Sequence, residues 1–545
     1  MTRGPAVAAL ALAGLVGAGG VEAQTPPHTI AESSRFTATS RLDDVTAFVR
    51  ELQRITPLVR VETLCTSVEG RKVPMLVVGD PPPASPGDLR ADDRAVLYFQ
   101  ANIHGGEVEG KDALLMLVRD VVLGRTPKYL DKLVLLVVPV FNADGNERIS
   151  PRNRTAQKGP EQGVGTRYNG QNLDLNRDGT KVESPEVAGL VDVLNRWDPV
   201  FFLDSHTHNG SYHQEPVTWV WGLNGNGDPA LLDYMADVVW PAIEESMRTT
   251  YATAVIPHGD FVDARAPEKG WVPLDPLPRY LSNYVGLRNR VSVLNEQYPY
   301  ADFETRVRGA YSLFRAFLDF AFANADRMKA IVRDADRQAV ARGTGRGARG
   351  TFGIGWEPQP LPRLLTIQGY EMEVSEGPNG RVRVKPTEAK RTYTRVPYLA
   401  RSVAKRSIPL PRGYLIVNPQ PDVVAKLRQH GVVVERLAAP ATVSVEGFRI
   451  TSIEASGPLD QGHYTNAVKG EYFEDTREFP VGTAVVPMGQ RLAALAATLL
   501  EAESDDGLLL WNAFDRALSI QWGGGPREYP VFRVHGDLPP VRHVE

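Results

Sequence analysis

Ala95-Val-Leu-Tyr-Phe-Gln-Ala101 runs without a break into Asn102-Ile103-His104-Gly105-Gly106-Glu107. An apolar run of strand length and composition is followed by a polar corner, and then by Leu114, Leu115, Leu117 and Val118 at helical spacing. An imidazole and a carboxylate therefore stand at a strand-to-helix corner. In open α/β sheets ligands gather at the carboxyl ends of strands, and the two glycines let backbone pass close to such a site. His-x-x-Glu alone is a weak signal, because a turn followed by an acid in a helix's first turn has the same spelling.

Three more apolar runs end in the same manner. Pro199-Val-Phe-Phe-Leu203 enters Asp204-Ser205-His206-Thr207-His208, Arg290-Val-Ser-Val-Leu294 delivers Glu296, and Leu133 to Val140 ends at Phe141-Asn142-Ala143-Asp144-Gly145. The last opens a long polar loop carrying Arg152, Asn153, Arg154, Asp174, Asn176 and Arg177, a set rich in anion-binding groups. Across residues 30–335 such runs alternate with helical patterns, which predicts an α/β domain with a mixed, largely parallel sheet flanked by helices. Residues 336–355 include Arg342-Gly343-Thr344-Gly345-Arg346-Gly347 and read as a Gly/Arg-rich linker with solvated charges. Beyond it, residues 356–545 read as a smaller C-terminal α/β or β-rich accessory domain. It has a strand-helix-strand pattern over 414–417, 422–429 and 432–434, and alternation at Val443, Val445, Phe448 and Ile450.

Composition narrows the chemistry. The 545 residues include one cysteine, Cys65, so neither an intramolecular disulfide nor a cysteine metal site can form. Any metal must use histidines and carboxylates. His104, Glu107 and a histidine from the 204–208 corner supply two imidazoles and one carboxylate with a fourth position left open, the donor set of a catalytic zinc, one per chain. His206 and His208 share a side of an extended segment, so spacing does not choose between them. Glu296 is the candidate general base. Its rival, Glu304, follows Asp302 at a helix start, where the helix dipole accounts for it.

Acidic residues number 65 against 61 basic ones, a formal net charge of −4, and 42% of the chain is hydrophobic. That length predicts two or three domains, and nothing in the charge balance points to a nucleic-acid surface or a strongly charged partner. At the N-terminus Arg3, the apolar stretch Ala6 to Val16 and Val21-Glu22-Ala23 read as a signal peptide over residues 1–23. The apolar stretch falls short of the roughly 20 residues that span a bilayer. A secreted or periplasmic protein with no membrane span after signal removal is expected.

Taken in order, His104-Gly-Gly-Glu107, Asn142-Ala-Asp-Gly145, Leu173-Asp-Leu-Asn-Arg177, Ser205-His206 and Glu296 resemble the zinc carboxypeptidase family, the carboxypeptidase A-like metallopeptidases, over roughly residues 30 to 330. The resemblance implies zinc on His104, Glu107 and His206, the last chosen over His208 because the family ligand directly follows the strand end. It implies Glu296 as the base that activates water, and Asp174 as the acid that hydrogen-bonds the first zinc histidine and sets its tautomer. Asn176 and Arg177 match the pair that holds a substrate's terminal carboxylate, a task suited to a planar guanidinium. The family arginine that polarises the scissile carbonyl lies in an Arg-x-x-Arg spacing, whereas this chain has Pro151-Arg152-Asn153-Arg154. Arg152 is placed there because it leads the run, with Arg154 as the alternative. The expected function is a secreted zinc metallocarboxypeptidase acting on peptide or protein C-termini. A zinc deacylase or a muropeptide peptidase would keep the same triad; a non-catalytic binding module would lack a ligand or the base.

Overall fold

The structure, a computed structural model, describes Met1 and residues 25–542 apart from 91, 125–127, 209, 377–381, 418–419 and 520–526. The expected signal segment, residues 1–23, lies outside the described residues except for Met1. Among the described residues no helix is long and apolar enough to cross a membrane.

The N-terminal portion contains strands β1 (Val59–Thr66), β2 (Lys72–Val78), β3 (Ala95–Ala101), β4 (Leu133–Val138), β5 (Phe201–Thr207), β6 (Val217–Trp221), β7 (Val255–Pro257), a small ribbon of β8 (Asp260–Phe261) and β9 (Trp271–Val272), and β10 (Val291–Gln297). Eight of them form one sheet in the order β1-β2-β4-β3-β5-β10-β6-β7. The centre, β4-β3-β5-β10, is parallel, while β1, β2 and the β10-β6 pair are antiparallel. The sheet is thus mixed, as the sequence pattern predicts. Every residue of β3, β4 and β5 is buried, the consequence of helices on both faces, while β1 alternates buried and open positions as an edge does.

The helix Pro185–Trp197 starts where Ser184 accepts the Val187 N–H and Pro185 presets the first turn. The helix Glu109–Val122 packs against the long helix Phe303–Thr344, which bends at Asn324, whose side-chain amide bonds the Phe320 carbonyl.

The stretch 336–355 differs from a linker. It is helical to Thr344, turns at Gly345 (φ +77°) and re-enters a strand at Thr351. Its glycines serve close packing, since a Cβ on Gly343 would lie 1.9 Å from the Met488 carbonyl oxygen. The strand-helix-strand unit is present as Gly413–Ile416, Pro421–Gln429 and Glu435–Leu437, the last beginning one residue beyond its predicted end. These strands join Ala441–Asp460, His463–Phe479 and others in a second, all-antiparallel sheet of eight strands. Two long ribbons complete the region, Thr351–Gln359 with Arg401–Pro409 and Leu364–Glu376 with Val382–Pro397. One buried apolar cluster runs from Ala31 through Tyr414, Val423 and Leu495 to Val531, so the N-terminal portion and the C-terminal region share a core.

Candidate active site

Three strand ends bring the site together. β3 stops at Ala101, and Asn102 takes a left-handed conformation (φ +62°) that reverses the chain into the His104 corner. The Asn102 amide nitrogen then donates to the carbonyls of His104, Gly105 and Glu107, fixing that corner from inside. A Cβ at Gly105 would lie 2.3 Å from the Gly145 carbonyl carbon, so the two loops meet backbone to backbone. Asn142 joins them, accepting the Gly145 N–H and donating to the carbonyls of Ile103 and Arg167.

His206 comes from β5 and Glu296 from β10, and the two are direct partners in the parallel register, so their side chains leave the same face of the sheet. His104, Glu107 and His206 are buried, and one ligand atom from each lies within 4.8 Å of the others. His104 Nδ1 is 2.9 Å from Glu107 Oε1, and His206 Nδ1 is 3.1 Å from Glu107 Oε2. Donors 2.0–2.2 Å from a tetrahedral zinc stand about 3.3 Å apart, so the nitrogen and oxygen set fits that ion in type and spacing. The second nitrogen of each ring faces a carboxylate: His104 Nε2 is 3.0 Å from Asp174 Oδ1, and His206 Nε2 is 2.9 Å from Asp204 Oδ2.

The electrostatics favour a cation. Burial opposes ionisation of Glu107, but His104 and Arg154 hold its carboxyl well below the usual carboxylate range. Burial likewise opposes charging of His206, yet Asp204 and Glu107 together raise its pKa well above that of an ordinary imidazole. Burial pushes Glu296 up to about 8; Glu107 adds to the rise, while His206 and the arginines 154 and 167 oppose it. Glu296 Oε2 is enclosed and without a hydrogen-bond partner among the described residues.

The sequence-derived residues divide. His104, Glu107, His206, Asp174 and Glu296 converge. Asn176 and Arg177 lie on the turn just after Asp174, with Asn176 Oδ1 accepting the Leu281 N–H at 2.9 Å and Arg177 stacked over the Tyr280 ring at 4.5 Å. His208 is outside the group because β5 ends at Thr207; its ring packs 4.8 Å from His258 and accepts the Gly210 N–H. Glu304 is on the surface, paired with Arg308. Arg152 is not brought to the site: its side chain is exposed, and its backbone N–H bonds Ser150. Arg154 turns inward instead (φ +48°), filling the space that a Cβ on Gly106 would occupy and reaching Glu107 Oε1 at 3.1 Å.

Two groups escaped the sequence reading. Arg167 lies 2.6 Å from Asp174 Oδ2 and 3.3 Å from His104 Nδ1; the signal was a guanidinium seven residues before Asp174 in the same loop. Asp204, buried in β5 two residues before His206, is the second.

Elsewhere in this portion, buried Glu215 accepts the Gln368 N–H at 2.8 Å, and burial pushes its carboxyl up to about 7 from an ordinary value of 4.5. The folded chain therefore keeps a proton that the unfolded chain releases, a stabilising contribution that is whole below pH 4.5 and lost as pH rises through 7. Glu215→Gln should leave stability at pH 4.5 nearly unchanged and gain about 2–3 kcal/mol at pH 8 relative to the wild type. Denaturant melts at both pH values check this, and an equal change at the two would refute it.

A mixed α/β sheet carrying a buried His–Glu–His group and a neighbouring carboxylate is the arrangement of a metal-dependent hydrolase. Residues 45–216 match the family model described as Zinc carboxypeptidase. The chain is 23% identical to Carboxypeptidase 2 of Trichophyton rubrum over 94% of its own length and 90% of that protein's. It is also 28% identical to Carboxypeptidase D of Anas platyrhynchos, over 31% of this chain and 12% of that one. Among solved structures, a metallo-carboxypeptidase from Burkholderia cenocepacia aligns with 52% of this chain and 69% of its own at TM-score 0.39 and 17% identity. Residues 45–216 are thus similar to the zinc carboxypeptidase family, and over most of its length the chain resembles a carboxypeptidase.

Proposed function

We propose that this protein is an exported carboxypeptidase that releases C-terminal residues from peptides, with residues 30–335 carrying the chemistry and 356–545 accessory to it. The carrying observation is that Asn176 and Arg177 follow Asp174 by two and three residues on one turn, and Asp174 itself bonds His104. A substrate held by its terminal carboxylate at that turn therefore lies next to the His–Glu–His group. Export is supported by the sequence pattern of residues 1–23.

In this reading His104, Glu107 and His206 hold zinc, which supplies a Lewis acid that lowers the pKa of a water and polarises a carbonyl oxygen. Asp174 fixes the His104 tautomer from the far nitrogen. Glu296 takes a proton from the attacking water on its enclosed Oε2 and delivers it to the departing amine nitrogen. Arg167 replaces Arg152 as the guanidinium that meets negative charge developing on the carbonyl oxygen: its side chain is 31% exposed, against 14% for Arg154, which holds Glu107. Arg177, open to solvent on one side, grips the substrate carboxylate.

A residue-release assay over a peptide library, with and without a chelator, tests the reading. Single C-terminal residues should appear only without chelator, and release of internal fragments alone would overturn it. Within the same assay, Arg177→Ala should raise KM for peptides with a free C-terminus by about tenfold or more, roughly 1.4 kcal/mol, with zinc content unchanged. An unchanged KM removes Arg177 from that role.

A further inference from the structure

We infer that the C-terminal region completes the substrate-carboxylate subsite, with Gln461 as a positioning residue that ties the 174–183 loop to the C-terminal region. The inference deepens the carboxypeptidase reading and rests on it for the identity of the bound group.

The 174–183 loop has one short turn, Leu175–Arg177, and a few further bonds of its own, such as the Val182 N–H on the Asp178 carbonyl; three more of its backbone groups find partners beyond residue 420. The Asp174 N–H donates to Gln461 Oε1 at 2.7 Å, the Thr180 carbonyl lies 3.0 Å from His430 Nε2, and the Val182 carbonyl accepts Lys426 Nζ at 2.9 Å. Glu183 Oε1 meets His463 Nε2 at 2.9 Å. Lys181 lies over the Trp511 ring at 3.9 Å, and that indole is packed against the His463 ring.

The loop is also strained. Val182 is β-branched and sits at φ +51°, a conformation that persists only where its surroundings impose it. Gln461 lies in the turn joining Ala441–Asp460 to His463–Phe479, itself in a left-handed conformation (φ +52°). One hairpin turn thus contacts, through a single side chain, the residue that orients His104 and caps the turn carrying Asn176 and Arg177. Because Arg177 sits on this loop, a small displacement of its backbone moves the guanidinium away from the His–Glu–His group.

Gln461→Met keeps length and flexibility and removes the acceptor; His463→Phe removes the second tie independently. In the full-length protein each should speed amide exchange across 174–183 by about tenfold or more, with β3 and β5 unchanged. KM for a peptide with a free C-terminal carboxylate should rise about tenfold with kcat within roughly threefold, while inhibition by acetohydroxamate, which needs only the metal, stays constant. Unaltered exchange in the loop overturns the inference, whatever bond the enzyme cuts. So does faster exchange with an unchanged KM, or a parallel loss of kcat, hydroxamate inhibition and thermal stability. A wild type that releases no C-terminal residue refutes the carboxypeptidase reading instead, and the exchange measurement still decides whether Gln461 holds the loop.

Discussion

Glu296→Gln should leave the protein folded and zinc-loaded while turnover falls by about three orders of magnitude, the range a positioned general base contributes. The amide keeps the size of the carboxyl, and neighbours on both sides of β10 keep its place in the sheet. What it lacks is an oxygen able to take a proton. Because Glu296 is not among the three side chains whose ligand atoms cluster, metal content measured by elemental analysis should be unaffected. Turnover near the wild-type value would take the base role from Glu296; parallel loss of zinc would instead make it part of the metal's support.

The largest expected effect on stability comes from Arg306. Its side chain is fully buried; Nε donates to Glu109 Oε1 at 2.6 Å, and the guanidinium also donates to the carbonyls of Lys158, Gly159 and Ala301. Glu109 is equally buried and accepts the Thr207 hydroxyl at the end of β5. Arg306→Met leaves that carboxylate without its cation and three carbonyls without a donor, and should cost about 3–5 kcal/mol. Replacing both partners, Glu109→Leu with Arg306→Met, should recover a substantial part, because an apolar pair carries no unpaired charge. Denaturant melts of the single and double variants settle it. A single variant within about 0.5 kcal/mol of wild type would show the pair to be dispensable.

The parts of the site legible in the sequence are those that secondary structure alone can place. A fully apolar run that stops at a histidine or glutamate marks the end of a central strand, and His104, His206 and Glu296 stand at or just beyond such ends. The register pairing of Glu296 with His206 follows from two such strands lying side by side.

Loop arginines are a different matter. Which of Arg152, Arg154 and Arg167 points inward depends on a positive φ at Arg154, on the space left by Gly106, and on Asp174 arriving beside Arg167; no spacing rule encodes these. The 336–355 stretch was misleading for a related reason. Glycine spells both flexibility and close approach, and only the Met488 carbonyl against Gly343 tells which. Contacts such as Gln461 to Asp174 join positions 287 residues apart and leave no local trace.

The placement of Glu296 opposite His206 on adjacent parallel strands has a consequence for how such a protein can change over generations. Their separation is set by the inter-strand hydrogen-bond spacing of about 4.8 Å, a ruler common to all sheets. Insertions in the 210–290 segment, a recharged 174–183 loop or an altered C-terminal hairpin can redirect which peptides are accepted without touching that ruler. Reactivity and selectivity are then free to drift on separate clocks, the first tied to the sheet and the second to whatever is built around it.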